Sequence, residues 1–183
     1  MKYNRLISLL VLCIVILSIF ASVIGIFSNA GPGAHEIESF RGETVNIHGR
    51  GLYSDDSISI VAQGTAQDIV TLALGIPLLI LSLYMALKGS LKGRLLLTGT
   101  LGYFLYTYIS YVFLWMYNSM FIVYVILMSA SFFAFVLSIM SVDINSLSKA
   151  FNKELPVKFL GGFQITFAVA ICLLWMSKII PTI

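Results

Sequence analysis

Four polar side chains at the mouth of an apolar run are the first place where this sequence could do chemistry. Gln63, Gln67 and Thr71 are spaced four apart, so on a helix they form one row, and Asp68 sits beside it. In a bilayer such a stripe would enter the outer leaflet, where a bare carboxylate is costly unless it is paired or hydrated. A second set lies further along. Thr100, Tyr103, Thr107 and either Ser110 or Tyr111 recur at helical spacing and line one face with hydroxyls. Tyr111, Trp115 and Tyr117 suit an interfacial aromatic belt, whereas Tyr103 and Tyr106 lie deeper, where each hydroxyl needs a partner. This face would either line a wet cavity or hydrogen-bond to adjacent helices. Gln67, Asp68, Thr71, Tyr103, Thr107 and Tyr111 are accordingly the candidate ligand-binding set.

A third group is acidic and imidazole-bearing. His35, Glu36, Glu38, His48, Asp55 and Asp56 share one polar stretch. Imidazole and carboxylate can bind zinc, or a harder cation through the aspartates, which makes His48, Asp55 and Asp56 candidate metal ligands. Their spacing matches no metal motif, and a solvated, charged loop is the simpler account.

The elements that must position these residues follow from composition. The chain has 183 residues, a mean hydropathy of +0.98, 59% apolar residues and 10% charged ones. Soluble domains carry about 25% charged residues, so a water-exposed globule is excluded, as are a disordered chain and a disulfide scaffold. Cys13 and Cys172 lie inside apolar runs and read as packing residues. A net charge of +3, scattered along the chain, does not suggest nucleic acid as a partner.

Five runs reach the length of about 20 residues needed to cross hydrocarbon: Leu6 to Phe27, Ile69 to Leu87, Leu95 to Met116, Met120 to Met140 and Phe159 to Met176. They are continuous rather than alternating, which favours helices over a barrel. The expected fold is all-α, a polytopic integral membrane helical bundle forming a single domain, with one external polar loop over residues 28–67. Lys2, Arg5, Lys88, Lys92, Arg94, Lys149, Lys153 and Lys158 fall on one side, against Arg41, Arg50 and Lys178 on the other. The positive-inside rule then puts the N-terminus and the connections 88–94 and 142–158 in the cytoplasm, and the long loop and C-terminus outside the cell membrane. One alternative stays open: a basic start and Ser28-Asn29-Ala30 also fit a cleaved signal peptide, although Leu6 to Phe27 is long for one.

Local signals refine this outline. Thr44 to His48 alternates like a short strand, and Ser54-Asp55-Asp56 reads as a helix N-cap with acids in the first turn. A helix unbroken from Asp55 to Leu87 would run about 50 Å, so a projecting turn bent at Gly64 is expected, with a kink at Pro77. Met116 to Met120 should close a tight external hairpin, and Ser146 to Lys153 a short surface helix. Small residues form rows at Ser18, Ser22 and Gly25, at Ala130, Ala134 and Ser138, and at Gly162, Thr166 and Ala170, which suits close helix approach or a dimer.

Several chemistries lack their residues. No charged residue or histidine lies near the middle of any run, so a bilayer haem site, a Schiff-base lysine, an arginine ladder and a proton relay are unsupported. There is no CxxC, P-loop, GxGxxG or HExxH, and no cofactor is identified. Three functions remain. The first is a non-enzymatic binding, transport-linked or accessory subunit with an outward-facing polar cavity. The second is a membrane enzyme acting on a lipid or envelope substrate at the outer interface, with Asp68, Asp55 or Asp56 as acid or base and His48 assisting. The third is a structural partner of another membrane protein. The bilayer is the expected partner throughout, together with a second membrane protein or another copy of the chain.

Overall fold

The computed structural model describes residues 3–39, 42–142 and 156–179. They divide into two compact units, Met1–Asp143 and Ile144–Ile183. The protein is mostly helical, and among the described residues five helices are long and apolar enough to cross a membrane.

The first unit opens with α1 (Asn4–Phe27), an unbroken run of apolar residues. Its inner stripe is Ile7, Val11, Ile14, Ser18, Ala21, Ser22 and Gly25, alternating steps of three and four along most of its length. The chain then forms a two-stranded antiparallel sheet, β1 (His35–Glu38) and β2 (Thr44–Ile47), with His35 opposite Ile47 and Glu38 opposite Thr44. Alternation anticipated β2 but not β1, which has only one apolar residue, Ile37. A single 3-10 turn, Gly51–Tyr53, leads on towards the next helix.

That helix begins later than its cap signal and earlier than its hydropathy suggests. Ser57, not Ser54, is the N-cap of α2 (Ile58–Val70), so residues 58–67, expected in the external loop, are helical. A widened π turn, Thr71–Gly75, joins α2 to α3 (Ile76–Leu87), and the whole apolar segment has 30 residues. The irregularity expected at Pro77 thus falls one turn before it. Proline has no N–H to give to the preceding turn and its ring crowds the carbonyl there; a widened turn makes room. The Ile76 N–H reaches back five residues to the Thr71 carbonyl. Gly64, where a bend was expected, stays inside α2.

Gly89, at a left-handed φ of +86°, closes the connection to α4 (Leu91–Phe113), whose N-cap Ser90 accepts a hydrogen bond from the Gly93 N–H at 3.2 Å. α4 ends at Phe113 rather than Met116, and α5 (Phe121–Met140) follows. In this unit α1 packs on α2, α3 and α5, and α4 packs on α3 and α5. The core is apolar, but so is the exterior, and small polar residues are set into the interior between the helices. Ser18, Ser22, Ser82, Ser131 and Ser138 are fully or almost fully buried, while Leu9, Leu12, Leu74 and Phe113 are exposed. The rows through Ser18, Ser22 and Gly25 and through Ala130, Ala134 and Ser138 both face inward. The Thr98 and Ser138 hydroxyls, 2.7 Å apart, tie α4 to α5.

The second unit contains α6 (Val157–Ile179), an apolar helix on which the Phe163 and Phe167 rings stack with centroids 6.1 Å apart. It carries the row Gly162, Thr166 and Ala170. The surface helix expected over Ser146 to Lys153 lies outside the described residues.

Candidate functional site

All six candidate ligand-binding residues meet between α4 and the end of α2 with the π turn that follows it, in two adjoining hydrogen-bond networks. In the first, the Gln67 side-chain amide donates to the Tyr103 hydroxyl at 2.7 Å and to Thr107 Oγ1 at 3.0 Å, and Thr71 Oγ1 lies 3.0 Å from the same Tyr103 hydroxyl. Helical periodicity explains the fit. Gln67 and Thr71 stand one turn apart on one helix, and Tyr103 and Thr107 one turn apart on the other, so one long amide spans both.

The second network centres on Asp68, which is only 2% exposed. The Tyr53 hydroxyl donates to its Oδ2 at 2.6 Å. The Tyr111 hydroxyl, with one proton to give, lies 3.2 Å from Asp68 Oδ1 and 3.3 Å from the Gly64 carbonyl. Ser22 of α1 lies beside the same carboxyl. Gly25 makes this approach possible, because a Cβ there would collide with Asp68 Oδ2 and lie 2.7 Å from the Tyr53 hydroxyl. No ion pair to Asp68 is formed among the described residues; hydroxyls alone satisfy the carboxyl.

Aromatic rings pack around this carboxyl. Trp115, just past the end of α4, turns back so that its ring covers Gly64, and its centroid lies 4.2 Å from that of Tyr111 and 5.0 Å from that of Tyr53. Tyr124 of α5 stands edge-on to Tyr111 at 4.9 Å. Its buried hydroxyl comes close to Tyr53 without completing a hydrogen bond. Burial pushes the Tyr53 phenol well above its ordinary value, and its neighbours Tyr111, Tyr124 and Asp68 push it the same way. Tyr53 is therefore a fixed donor.

Above Tyr53 and Gly25, on the loop side, opens a polar cavity of about 350 Å³. Its wall includes Asn29, His48, Arg50 and Thr65. The loop is bent onto the end of α1 by glycines at left-handed φ, Gly49 at +70° and Gly51 at +66°. The Gly51 N–H donates to the Ala30 carbonyl at 2.7 Å, the Gly33 N–H to the Gly49 carbonyl at 2.9 Å, and the Leu52 N–H to Ser28 Oγ at 2.7 Å. A Cβ at Gly51 would strike the Ser28 carbonyl. The six candidate residues do not line this cavity; they lock α2 to α4, and Asp68 lies beneath its floor.

The candidate metal ligands are not gathered. Among the described residues, no three His, Cys, Asp or Glu side chains are grouped so as to hold a metal ion. Asp56, 1% exposed, instead accepts the Met116 N–H at 3.1 Å, while Asp55 accepts from its neighbour Ser54 at 3.3 Å. Burial raises the Asp56 carboxyl above its usual range, the Met116 N–H offsets this in part, and Asp55 adds to it. Asp55 therefore serves the turn that leads into α2, and Asp56 ties that turn to the segment after α4.

Tyr53 and Arg50 did not stand out in the sequence as site residues, and Gly25 stood out only as a small residue for close helix approach. A faint signal exists, since Leu52-Tyr53 is an apolar pair within a polar stretch, flanked by the glycines of Gly49-Arg50-Gly51. Comparison of the chain with protein families, with curated proteins and with solved structures yields no match.

Proposed function

We propose that the chain is a multi-pass membrane protein of five spans that binds a small ligand in the loop-side cavity, as a non-enzymatic binding or accessory component. The distribution of side chains supports the membrane reading. Leucine, isoleucine and phenylalanine cover the outside as densely as they fill the core, and small serines and threonines sit between the helices, as lipid allows and water opposes. The balance of lysine and arginine supports a cytoplasmic N-terminus and a cavity facing out of the cell.

One observation carries the binding reading. Asn29, His48, Arg50 and Thr65 line one polar cavity under a loop bent by Gly49 and Gly51, with Tyr53 and Gly25 at its base. A concave site walled by several polar side chains on a constrained backbone is the kind of place where a small ligand is held. Asp68 and its tyrosines form a rigid floor, which makes them positioning residues.

The test uses the full chain in lipid nanodiscs. A cavity-filling Thr65→Trp variant should keep its melting temperature yet lose whatever small molecule or lipid the wild type retains in native mass spectra. Wild type and variant carrying the same retained species would overturn the binding reading. Orientation is checked separately in a chain without Cys13 and Cys172. A cysteine at Asn29 should react with an impermeant maleimide in intact cells and one at Ser90 should not; the reverse pattern would invert the topology.

A further inference from the structure

We infer that the cavity selects an anionic group, a phosphate oxyanion, with Arg50 as its principal ligand. The inference rests on the cavity being a binding site and adds the chemical class of what it binds.

The charge of the lining is one-sided. Its residues include one permanent cation, Arg50, and one imidazole, His48, and no aspartate or glutamate. The nearest carboxyl below is Asp68, shut off from the cavity by the Tyr53 hydroxyl at 2.6 Å and by the close approach of Gly25. A cationic ligand would therefore meet like charge at the wall and no free carboxylate at the floor. An oxyanion would meet donors on several sides: the guanidinium, the imidazole, the Asn29 amide and the Thr65 hydroxyl. Ser28 adds another, because its oxygen accepts from the Leu52 N–H and leaves its own proton free to point into the cavity.

Arginine suits this task better than a point charge. Its planar fork can hold two oxygens of one phosphate, and it has no carboxylate partner among the described residues that would have to be displaced first. Its position is also fixed from behind, since Gly49 and Gly51 on either side are anchored to Gly33 and Ala30 through the backbone. The backbone that carries Arg50 is thus held in place before the anion arrives, so only the side chain has to be ordered on binding.

Two sources offer this chemistry, a phospholipid headgroup and a free phosphate. The rim includes Phe27, 76% exposed, and Ile26, an apolar edge at the end of α1 along which an acyl chain could leave.

The experiment compares the full chain in nanodiscs of phosphatidylcholine alone with nanodiscs also containing phosphatidylglycerol, and then with inorganic phosphate added to the first. Retained lipid is read by native mass spectrometry and stability by thermal melting. Retention of phosphatidylglycerol over phosphatidylcholine, reduced roughly tenfold or more by Arg50→Gln, supports the inference with a lipid headgroup as ligand. A rise in melting temperature with inorganic phosphate alone, lost in Arg50→Gln, supports it with a free oxyanion. Arg50 is exposed, so this variant should melt like the wild type in phosphatidylcholine.

Phosphatidylcholine carries a phosphodiester too, so equal retention of both lipids that falls in Arg50→Gln supports the inference. Equal retention that Arg50→Gln leaves unchanged, with no response to phosphate, overturns it, as does wild-type selectivity in Arg50→Gln. If Thr65→Trp still expels the retained lipid in that case, the cavity remains a binding site for another chemistry. If Thr65→Trp expels nothing, the binding reading itself has failed.

Discussion

The Tyr53 hydroxyl, carried on a turn outside the helices, is the 2.6 Å donor to Asp68 within α2. Removing it leaves Oδ2 of a buried carboxyl without its closest partner. Tyr53→Phe should therefore lower stability by about 1–3 kcal/mol. Asp68→Asn should cost less, because an amide still offers an oxygen to one tyrosine. A double-mutant cycle read by unfolding in mixed detergent should give a coupling of at least about 0.5 kcal/mol. Additive effects would mean that the two groups do not support each other.

Close approach at two glycines makes a steric prediction. Gly25→Ala would drive a methyl into Asp68, and Gly64→Ala would drive one into the Trp115 ring. Each should destabilise by roughly 1–3 kcal/mol through forced repacking. Gly99→Ala, with nothing within 4 Å of the added carbon, should be neutral or slightly stabilising. Thermal melts of the three variants are the measurement, and equal shifts in all three would contradict the steric account.

The amide bridge between α2 and α4 predicts graded losses. Tyr103→Phe removes the group shared by Gln67 and Thr71, so it should cost about 1–2 kcal/mol. Thr107→Val removes one acceptor and should cost less, near 0.6 kcal/mol. Gln67→Leu, which leaves two hydroxyls without their donor, should resemble Tyr103→Phe. A larger loss in Thr107→Val than in Tyr103→Phe would reverse the order and refute the bridge.

Asp56 predicts a pH dependence with a defined sign. Burial lifts its folded-state value above the unfolded one near 3.9, so the folded protein holds the proton more tightly. The penalty is present above the folded-state value and falls away as pH drops through it towards the unfolded value. Asp56→Asn should match or exceed wild-type stability at neutral pH and lose that advantage on acidification to about pH 4. Asp56→Ala should be about 1 kcal/mol less stable than Asp56→Asn at every pH, because the Met116 N–H loses its acceptor. A stability difference between wild type and Asp56→Asn that does not change with pH would exclude this role.

The residues easiest to read in the sequence were those whose partners follow from helical spacing. Gln67 with Thr71, and Tyr103 with Thr107, are one-turn pairs, and matching one pair to the other needs only neighbouring helices. The start of α2 was harder. Gln63, Gln67 and Asp68 lower the local hydropathy and moved the expected boundary to Ile69, although Gln67 and Asp68 have hydrogen-bond partners within the protein. Ser54-Asp55-Asp56 carries real capping chemistry, but Asp56 uses it on Met116, sixty residues away in the chain. Tyr53 reaches Asp68 through the path of a loop set by glycines at left-handed φ, which no periodicity encodes.

The reach of Tyr53 into the helix pair has a kinetic consequence. A loop turn normally exchanges its amide protons quickly, because it can open without disturbing the core. Here, lifting the turn Gly51–Tyr53 would uncover a carboxyl among apolar rings, so opening must carry part of the energy of breaking the interior. The amides of Leu52 and Tyr53 should then exchange on the slow timescale of α2, well behind those around Gly33 and Glu43. The surface segment and the helix interior would open and close as one cooperative body.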